Sequence, residues 1–169
     1  MKEQKSAQFE IRRWAFSSKT YEYETPLDLF RVLDREFHFS LDVCANKSNA
    51  KTVRFFDKTT NGLLQSWENE TCWMNPPYGK LLPNWMQKAQ NEAHHHNATV
   101  VALVPCRTDT RWFWNCCIDE EIRLIKGRLR FKHGVYDGEP LIKDFGAPFP
   151  SMLVIFKPRI KKEGLLTYA

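Results

Sequence analysis

Hydrophobic residues follow two spacings along this chain, and each spacing predicts one kind of element. Residues 39 to 43 alternate apolar and polar positions and place Asp42 near the carboxyl end of a strand, while residues 72 to 74 end a second, buried strand. Residues 98 to 105 form an almost wholly apolar run, which is typical of a strand covered on both faces. Further strands are predicted near residues 51 to 56, 122 to 131 and 151 to 156.

Three helices are predicted between these strands. The first has Thr25 as its N-cap and Pro26 at its first helical position, followed by apolar residues at helical spacing. A second buries Leu82, Trp85, Met86, Ala89 and Ala93, and a short third helix, capped by Thr108 or Asp109, carries Trp112, Phe113 and Cys116. The alternation of strands and helices predicts an α/β protein with a Rossmann-like layered fold, in which ligands bind at the carboxyl ends of the strands.

Composition narrows the class of protein. The chain has 169 residues, 43% of them hydrophobic, so we expect a flexible tail over residues 1 to 18 and one domain over residues 19 to 169. The net charge of +5 favours a polyanionic partner, and nucleic acid is the natural candidate. No apolar run has the length of a membrane span. Five cysteines without CxxC spacing support neither a disulfide framework nor a zinc site and favour a reducing cytoplasm.

The segment Asn75-Pro76-Pro77-Tyr78 is the strongest candidate for catalysis. The two prolines end the preceding strand and stiffen the loop, because neither can donate a ladder hydrogen bond. The loop presents the Asn75 side-chain carbonyl and the Pro76 backbone carbonyl as acceptors, with the Tyr78 ring as a stacking surface. This set suits an exocyclic amino group on a planar base, where positioning and electrostatics supply the rate without a metal. The pattern Asn-Pro-x-Tyr also occurs in peptides that dock to other proteins, but such peptides are expected in disordered tails rather than after a buried strand.

A second candidate is a basic stretch in which Lys126, Arg128, Arg130 and Lys132 alternate with Gly127, Leu129 and Phe131. In a strand this period places all four cations on one face. Such a row would follow the phosphates of DNA and add salt-sensitive affinity. A solvated edge strand protected by its charges explains the pattern equally well.

Two further features have ordinary interpretations. His94, His95 and His96 are adjacent, so in a helix they point in different directions and predict a solvated helix end rather than a metal site. Cys106 is interpreted as a small buried residue at a strand end rather than as an activated thiol.

Together these motifs give the chain from about Thr25 to Phe156 a marked resemblance to the phage-encoded DNA N-6-adenine methyltransferases of the Dam type. The matching segments are Thr25-Pro26, Leu41-Asp42-Val43-Cys44-Ala45, Gly62-Leu63 ahead of Trp67, Asn75-Pro76-Pro77-Tyr78-Gly79, Leu103-Val104-Pro105 with Arg107-Thr108-Asp109-Thr110, Gly127-Arg128-Leu129, and Ala147-Pro148-Phe149-Pro150-Ser151. The resemblance implies a class I methyltransferase domain, a three-layer sandwich with a mixed, mostly parallel sheet. It also implies S-adenosylmethionine as methyl donor, DNA as substrate and, for a phage protein, the cytoplasm of a bacterial host.

The resemblance also implies roles for particular residues. Thr25 and Pro26 would contact the methionine part of the cofactor, and Asp42 and Ala45 would line it. Asn61 stands where an aspartate that binds the adenine or ribose of the cofactor is expected, and an amide there adds no charge. Asp57 is the substitute candidate. Residues 75 to 78 would form the amine site, with Tyr78 stacked on the target base.

Several alternatives remain open from the sequence. Cytosine N4 and a protein glutamine amide present the same amine geometry, and a catalytically silent nucleic-acid-binding module would keep the same fold. Either a monomer or a homodimer is compatible with the sequence, and the target DNA sequence is not predicted.

Overall fold

The computed structural model describes residues 23–131, 135–136, 139–140 and 146–159. The predicted tail over residues 1 to 18 and the cation Lys132 lie outside the described residues. Within them the helices are α1 (Leu27–Phe37), α2 (Leu82–His95) and α3 (Arg111–Cys116), with a 3-10 helix at Gly62–Leu64. The strands are β1 (Leu41–Asp42), β2 (Thr71–Met74), β3 (Thr99–Pro105), β4 (Glu121–Leu124), β5 (Val135–Tyr136), β6 (Glu139–Pro140) and β7 (Ser151–Phe156).

Five of these strands form one mixed sheet in the order β1-β2-β3-β7-β4. The first three strands are parallel, with Leu41 opposite Cys72 and Cys72 opposite Val100. Strand β7 is antiparallel to both of its neighbours, β3 and β4. Because β1 and β2 run in the same direction, their carboxyl ends meet at one edge of the sheet, where Asp42 and the loop after Met74 lie.

The predicted strand at residues 51 to 56 is reduced to a single parallel bridge between Asp42 and Phe55. Asp42 donates its N–H to the Arg54 carbonyl and accepts one from the Phe56 N–H. One further backbone hydrogen bond, from the Ala45 N–H to the Phe56 carbonyl, follows this bridge.

The core lies on both faces of β3. Val100, Ala102 and Val104 face one hydrophobic cluster, to which α2 contributes its whole predicted apolar face and α3 contributes Trp112, Phe113 and Cys116. Val101 and Leu103 face the other cluster, which includes Phe30 and Leu33 of α1. The prediction of a strand covered on both faces is therefore confirmed.

The N-caps predicted for α1 and α3 are wrong. Helix α1 has Pro26 rather than Thr25 at its N-cap, and no side chain caps it. The Thr25 hydroxyl instead accepts a hydrogen bond from Asn75, 50 residues away. Helix α3 has Thr110 at its N-cap, because the Thr110 hydroxyl donates to the Arg107 carbonyl and closes a turn over the residues predicted as caps.

The basic stretch is not the predicted strand. Strand β4 ends at Leu124, and Gly127 has a φ of +83°, which breaks the extended conformation that a ladder needs. Lys126, Arg128 and Arg130 are nevertheless exposed, whereas Phe131 is buried. The Leu129 carbonyl accepts the Ala147 N–H at 2.7 Å, so this segment is tied to the chain before β7.

In the described part of the chain no helix is long and apolar enough to cross a membrane. All five cysteines are free thiols, and Cys106 is half-buried against the core.

Candidate active site

Asn75 directly follows β2, and its side chain is held at both ends. Its amide nitrogen donates to the Tyr23 carbonyl at 2.6 Å and to the Thr25 hydroxyl at 3.0 Å. Its carbonyl oxygen accepts the Tyr78 hydroxyl at 2.7 Å. The side chain is therefore oriented by three hydrogen bonds, with its carbonyl directed toward Tyr78.

Tyr78 is buried in this structure, with 5% of its surface exposed. Its hydroxyl lies within hydrogen-bond distance of the Leu103 carbonyl as well as of Asn75. Burial raises the pKa of Tyr78 well above its ordinary value, so the hydroxyl stays a donor. The ring of Tyr23 stacks on the Tyr78 ring at a centroid distance of 5.4 Å, and Phe131 and Phe149 meet it edge-on. The ring predicted to receive a base is therefore covered by Tyr23.

An open polar recess lies beside Asn75, at the carboxyl ends of β1 and β2. Its lining residues are Tyr23, Glu24, Thr25, Asp42, Cys44, Asn49, Lys51, Trp73 and Asn75. The recess is open to solvent rather than enclosed. Three of the predicted site residues, Thr25, Asp42 and Asn75, meet here.

Asp42 is 3% exposed and is held by backbone donors. One carboxylate oxygen accepts the Lys51 N–H at 3.1 Å, and the other accepts the Cys44 N–H at 3.4 Å. Burial raises the pKa of Asp42 to about 6, and the two N–H groups partly oppose that rise. Asp42 is therefore ionised at neutral pH and protonated in mild acid.

The recess also contains an ion pair that the sequence patterns did not indicate. Lys51 Nζ lies 3.0 Å from a Glu24 carboxylate oxygen, and the two side chains are 9% and 23% exposed. Cys44 lines the same recess, and burial raises the pKa of its thiol well above the ordinary value, so it is no nucleophile. Tyr23, Glu24 and Lys51 carry no local signal, because only the fold brings residues 23 and 24 against β1 and β2.

The other predicted cofactor residues lie outside this lining. Asn61 has a left-handed backbone with φ of 50°, and its side chain accepts the Leu63 N–H, so it caps the 3-10 helix. Gly62 packs so closely on the end of β1 that an added Cβ would lie 2.1 Å from the Val43 carbonyl oxygen. Asp57 closes its own turn by accepting the N–H groups of Thr59 and Thr60. None of these turn residues lines the recess.

Ala45 is half-buried at the end of β1, and its N–H donates to the Phe56 carbonyl at 2.9 Å. Pro26 is half-buried at the N-cap of α1, next to Thr25.

The histidine interpretation was partly wrong. His95 and His96 are exposed, but His94 is half-buried and lies 2.8 Å from a Glu120 carboxylate oxygen. Across the described ranges no three histidine, cysteine or acidic side chains form a group that could hold a metal ion.

An Asn-Pro-Pro-Tyr loop at the carboxyl end of a parallel strand, beside a polar recess, is typical of amino methyltransferases. Residues 16–169 match the DNA N-6-adenine-methyltransferase (Dam) family. One relative, the DNA N-6-adenine-methyltransferase of Haemophilus phage HP1 (strain HP1c1), is 33% identical over 141 residues, which cover 81% of this chain and 79% of the relative. The chain therefore belongs to the Dam family of DNA N-6-adenine-methyltransferases, and the resemblance found in the sequence is confirmed.

Proposed function

We propose that this chain transfers the methyl group of S-adenosylmethionine to N6 of adenine in DNA, with the cofactor in the recess beside Asn75. The observation that carries this proposal is that Asn75 belongs to two arrangements at once. It begins the Asn-Pro-Pro-Tyr loop that resembles an amine site, and its side chain lines the polar recess. Substrate amine and cofactor would therefore meet at one residue.

The sheet supports a class I, Rossmann-like fold of three layers. One strand, β7, is antiparallel and is inserted between two strands that run the other way, and apolar clusters with helices cover both faces of the sheet. The carboxyl ends of parallel strands are where such folds bind ligands.

S-adenosylmethionine supplies an electrophilic methyl group on a sulfonium, so the residues of the chain have to aim the amine. The side-chain carbonyl of Asn75 and the backbone carbonyl of Pro76 each accept one N–H of the exocyclic amine. The nitrogen would then become more tetrahedral, with its lone pair available for the methyl carbon. Transfer would form a nitrogen–carbon bond as the carbon–sulfur bond breaks, and the amine would release one proton to solvent. Positioned acceptors of this kind supply rate without a covalent intermediate.

The base reaches this site only after a local rearrangement. N6 cannot meet the methyl group inside a stacked duplex, so the adenine is extruded. The target amine must replace the Tyr78 hydroxyl on the Asn75 oxygen, and the base must replace the Tyr23 ring on the face of Tyr78. Tyr23 is thus displaced when the base enters.

Binding of the DNA backbone is assigned to the basic stretch. Lys126, Arg128 and Arg130 are exposed on one segment, and Lys132 follows outside the described residues. Cationic contacts to phosphates release counterions, so methylation should weaken between about 50 and 200 mM salt. Activity in a reducing bacterial cytoplasm fits a DNA substrate and five free thiols.

The decisive experiment incubates the purified protein with radiolabelled S-adenosylmethionine and unmethylated duplex DNA, digests the DNA and separates the nucleosides. Label in N6-methyladenine is the expected result. Label in N4-methylcytosine would keep the mechanism and change the base. Absence of label from DNA, with the cofactor still bound, would refute the proposal and direct the search to protein glutamine or to a silent DNA-binding module.

The variant Asn75→Ala tests the assigned acceptor. Loss of one positioned catalytic hydrogen bond lowers kcat by about 10²–10³-fold in other enzymes. We expect a loss at least that large, with cofactor affinity largely retained. The matched control is Asn91→Ala, at an exposed position of α2, which should leave kcat unchanged. Normal turnover by the Asn75 variant would rule out the mechanism.

A further inference from the structure

We propose that Lys51 and Glu24 together bind the amino-acid end of S-adenosylmethionine, with the Lys51 ammonium on its carboxylate and the Glu24 carboxylate beside its ammonium. This inference rests on the proposed function, because it requires the cofactor to occupy the recess. It assigns the cofactor an orientation in the recess, with its amino-acid end at Lys51 and its reacting end at Asn75.

Lys51 is placed as a ligand rather than as a surface charge. Its side chain is 9% exposed, although a buried lysine is rare and costly without a partner. The backbone N–H of Lys51 donates to the Asp42 carboxylate at 3.1 Å, which fixes the backbone of Lys51 against the end of β1. Glu24 accepts one of the three N–H donors of the ammonium at 3.0 Å. The ammonium is thus largely shielded from bulk solvent and held by Glu24, while Asp42 holds the backbone of the same residue.

The pair matches a zwitterion. An amino acid carries a carboxylate and an ammonium on one carbon, and the recess presents one cation and one anion 3.0 Å apart. A simple anion would complement Lys51 but would be repelled by Glu24. Asp42 is a poorer partner for the ammonium, because backbone N–H groups already orient both of its oxygens. Glu24 is therefore the carboxylate that remains to face the ligand.

The same segment links the two ends of the recess. Glu24 precedes Thr25, whose hydroxyl accepts a hydrogen bond from Asn75, and follows Tyr23, whose ring covers Tyr78. Anchoring the amino-acid end at Lys51 and Glu24 therefore also fixes the chain that orients the amine acceptor. Lys51 and Glu24 are positioning residues for the methyl group, and they do not touch the reacting atoms.

The test compares two ligands that differ only beyond the thioether. S-adenosylhomocysteine carries the amino-acid end, and 5′-methylthioadenosine lacks it. Loss of one charge-assisted hydrogen bond corresponds to about 10- to 100-fold in affinity. By calorimetry we expect Lys51→Met to bind S-adenosylhomocysteine more weakly by that factor and to bind 5′-methylthioadenosine within about 2-fold of wild type, a difference inside the usual scatter. Lys47→Met, at an exposed position, is the matched control and should change neither affinity.

Unchanged binding of 5′-methylthioadenosine also shows that the variant is folded. Glu24→Gln provides a second variant. It should lose less affinity than Lys51→Met, and the loss should again be confined to S-adenosylhomocysteine. Equal losses for both ligands, or no loss for either, would overturn the assignment while leaving the proposed function in place. Failure of the wild-type protein to bind either ligand would overturn both.

Discussion

The pH dependence of stability should show the burial of Asp42 directly. Asp42 lies at the end of β1, is 3% exposed and has its pKa raised from an ordinary 3.8 to about 6. The folded protein therefore binds the Asp42 proton more tightly than the unfolded chain does. The stabilisation from this proton is complete below the ordinary pKa and is lost as the pH rises through about 6.

The size of the effect follows from the two pKa values. A shift of about two units corresponds to about 3 kcal/mol between the acid and neutral limits. Between pH 5 and pH 7.5, the window in which other carboxyl groups change least, linkage gives a loss of about 1.4 kcal/mol in the free energy of unfolding. Asp42→Asn cannot titrate, so it should lack this component.

Urea unfolding of both proteins at half-unit intervals from pH 5 to pH 7.5 measures the difference. The free energy of unfolding of the wild type minus that of the variant should fall by about 1.4 kcal/mol across the range, whatever constant offset the substitution adds. A difference that is flat to within about 0.3 kcal/mol would refute a buried carboxyl with raised pKa. A difference that rises with pH would mean that Asp42 is stabilised as an anion.

Three further variants test other contacts. Thr25→Val removes one acceptor of the Asn75 amide and should cost about 1 kcal/mol in urea unfolding and lower kcat more than cofactor affinity; unchanged kcat would separate the hydroxyl from the amine site. Tyr23→Ala uncovers the stacking ring and should lower the KM for DNA, although loss of the ring pair costs about 0.5–1.5 kcal/mol of stability; a raised KM would instead make Tyr23 part of the base site. Glu92→Ala leaves the buried backbone N–H of Trp67 without its acceptor and should cost about 1–3 kcal/mol in urea unfolding. The exposed Glu68→Ala is its control, and equal costs would contradict the assignment.

Elements with a strong hydrophobic period were predicted well. The apolar face of α2, the two-sided burial of β3 and the exact span of β7 followed from spacing alone, because burial dominates where a segment has no competing partner. The cap predicted for α1 failed because the Thr25 hydroxyl is taken by Asn75, a residue distant in sequence. The caps predicted for α3 failed because a turn closed by Thr110 and Arg107 precedes that helix. Residues 126 to 128 are all exposed, so the predicted alternation is kept only from Arg128 to Phe131, where a loop packed on one side produces it without a ladder.

The candidate site was likewise predicted from the sequence only in part. The loop at Asn75 was predicted because its prolines act locally on the backbone. Lys51 and Glu24 were not, because their contact joins two separate segments across the end of a sheet and neither segment encodes its partner. The stacking of Tyr23 on Tyr78 spans 55 positions and likewise depends on the complete fold.

Strand β7 determines when this protein can finish folding. It is the strand between β3 and β4, so both neighbours expose an unpaired edge until residues 151–156 have been synthesised. Residue 105 ends β3 and residue 151 begins β7, and at about 5–20 residues per second the ribosome needs roughly 2–9 s to bridge that interval. Throughout that time β3, which is buried at six of its seven positions in the folded protein, is open along one side. Nascent chains should therefore be most prone to aggregation, and most dependent on chaperones, after β3 emerges and before β7 arrives.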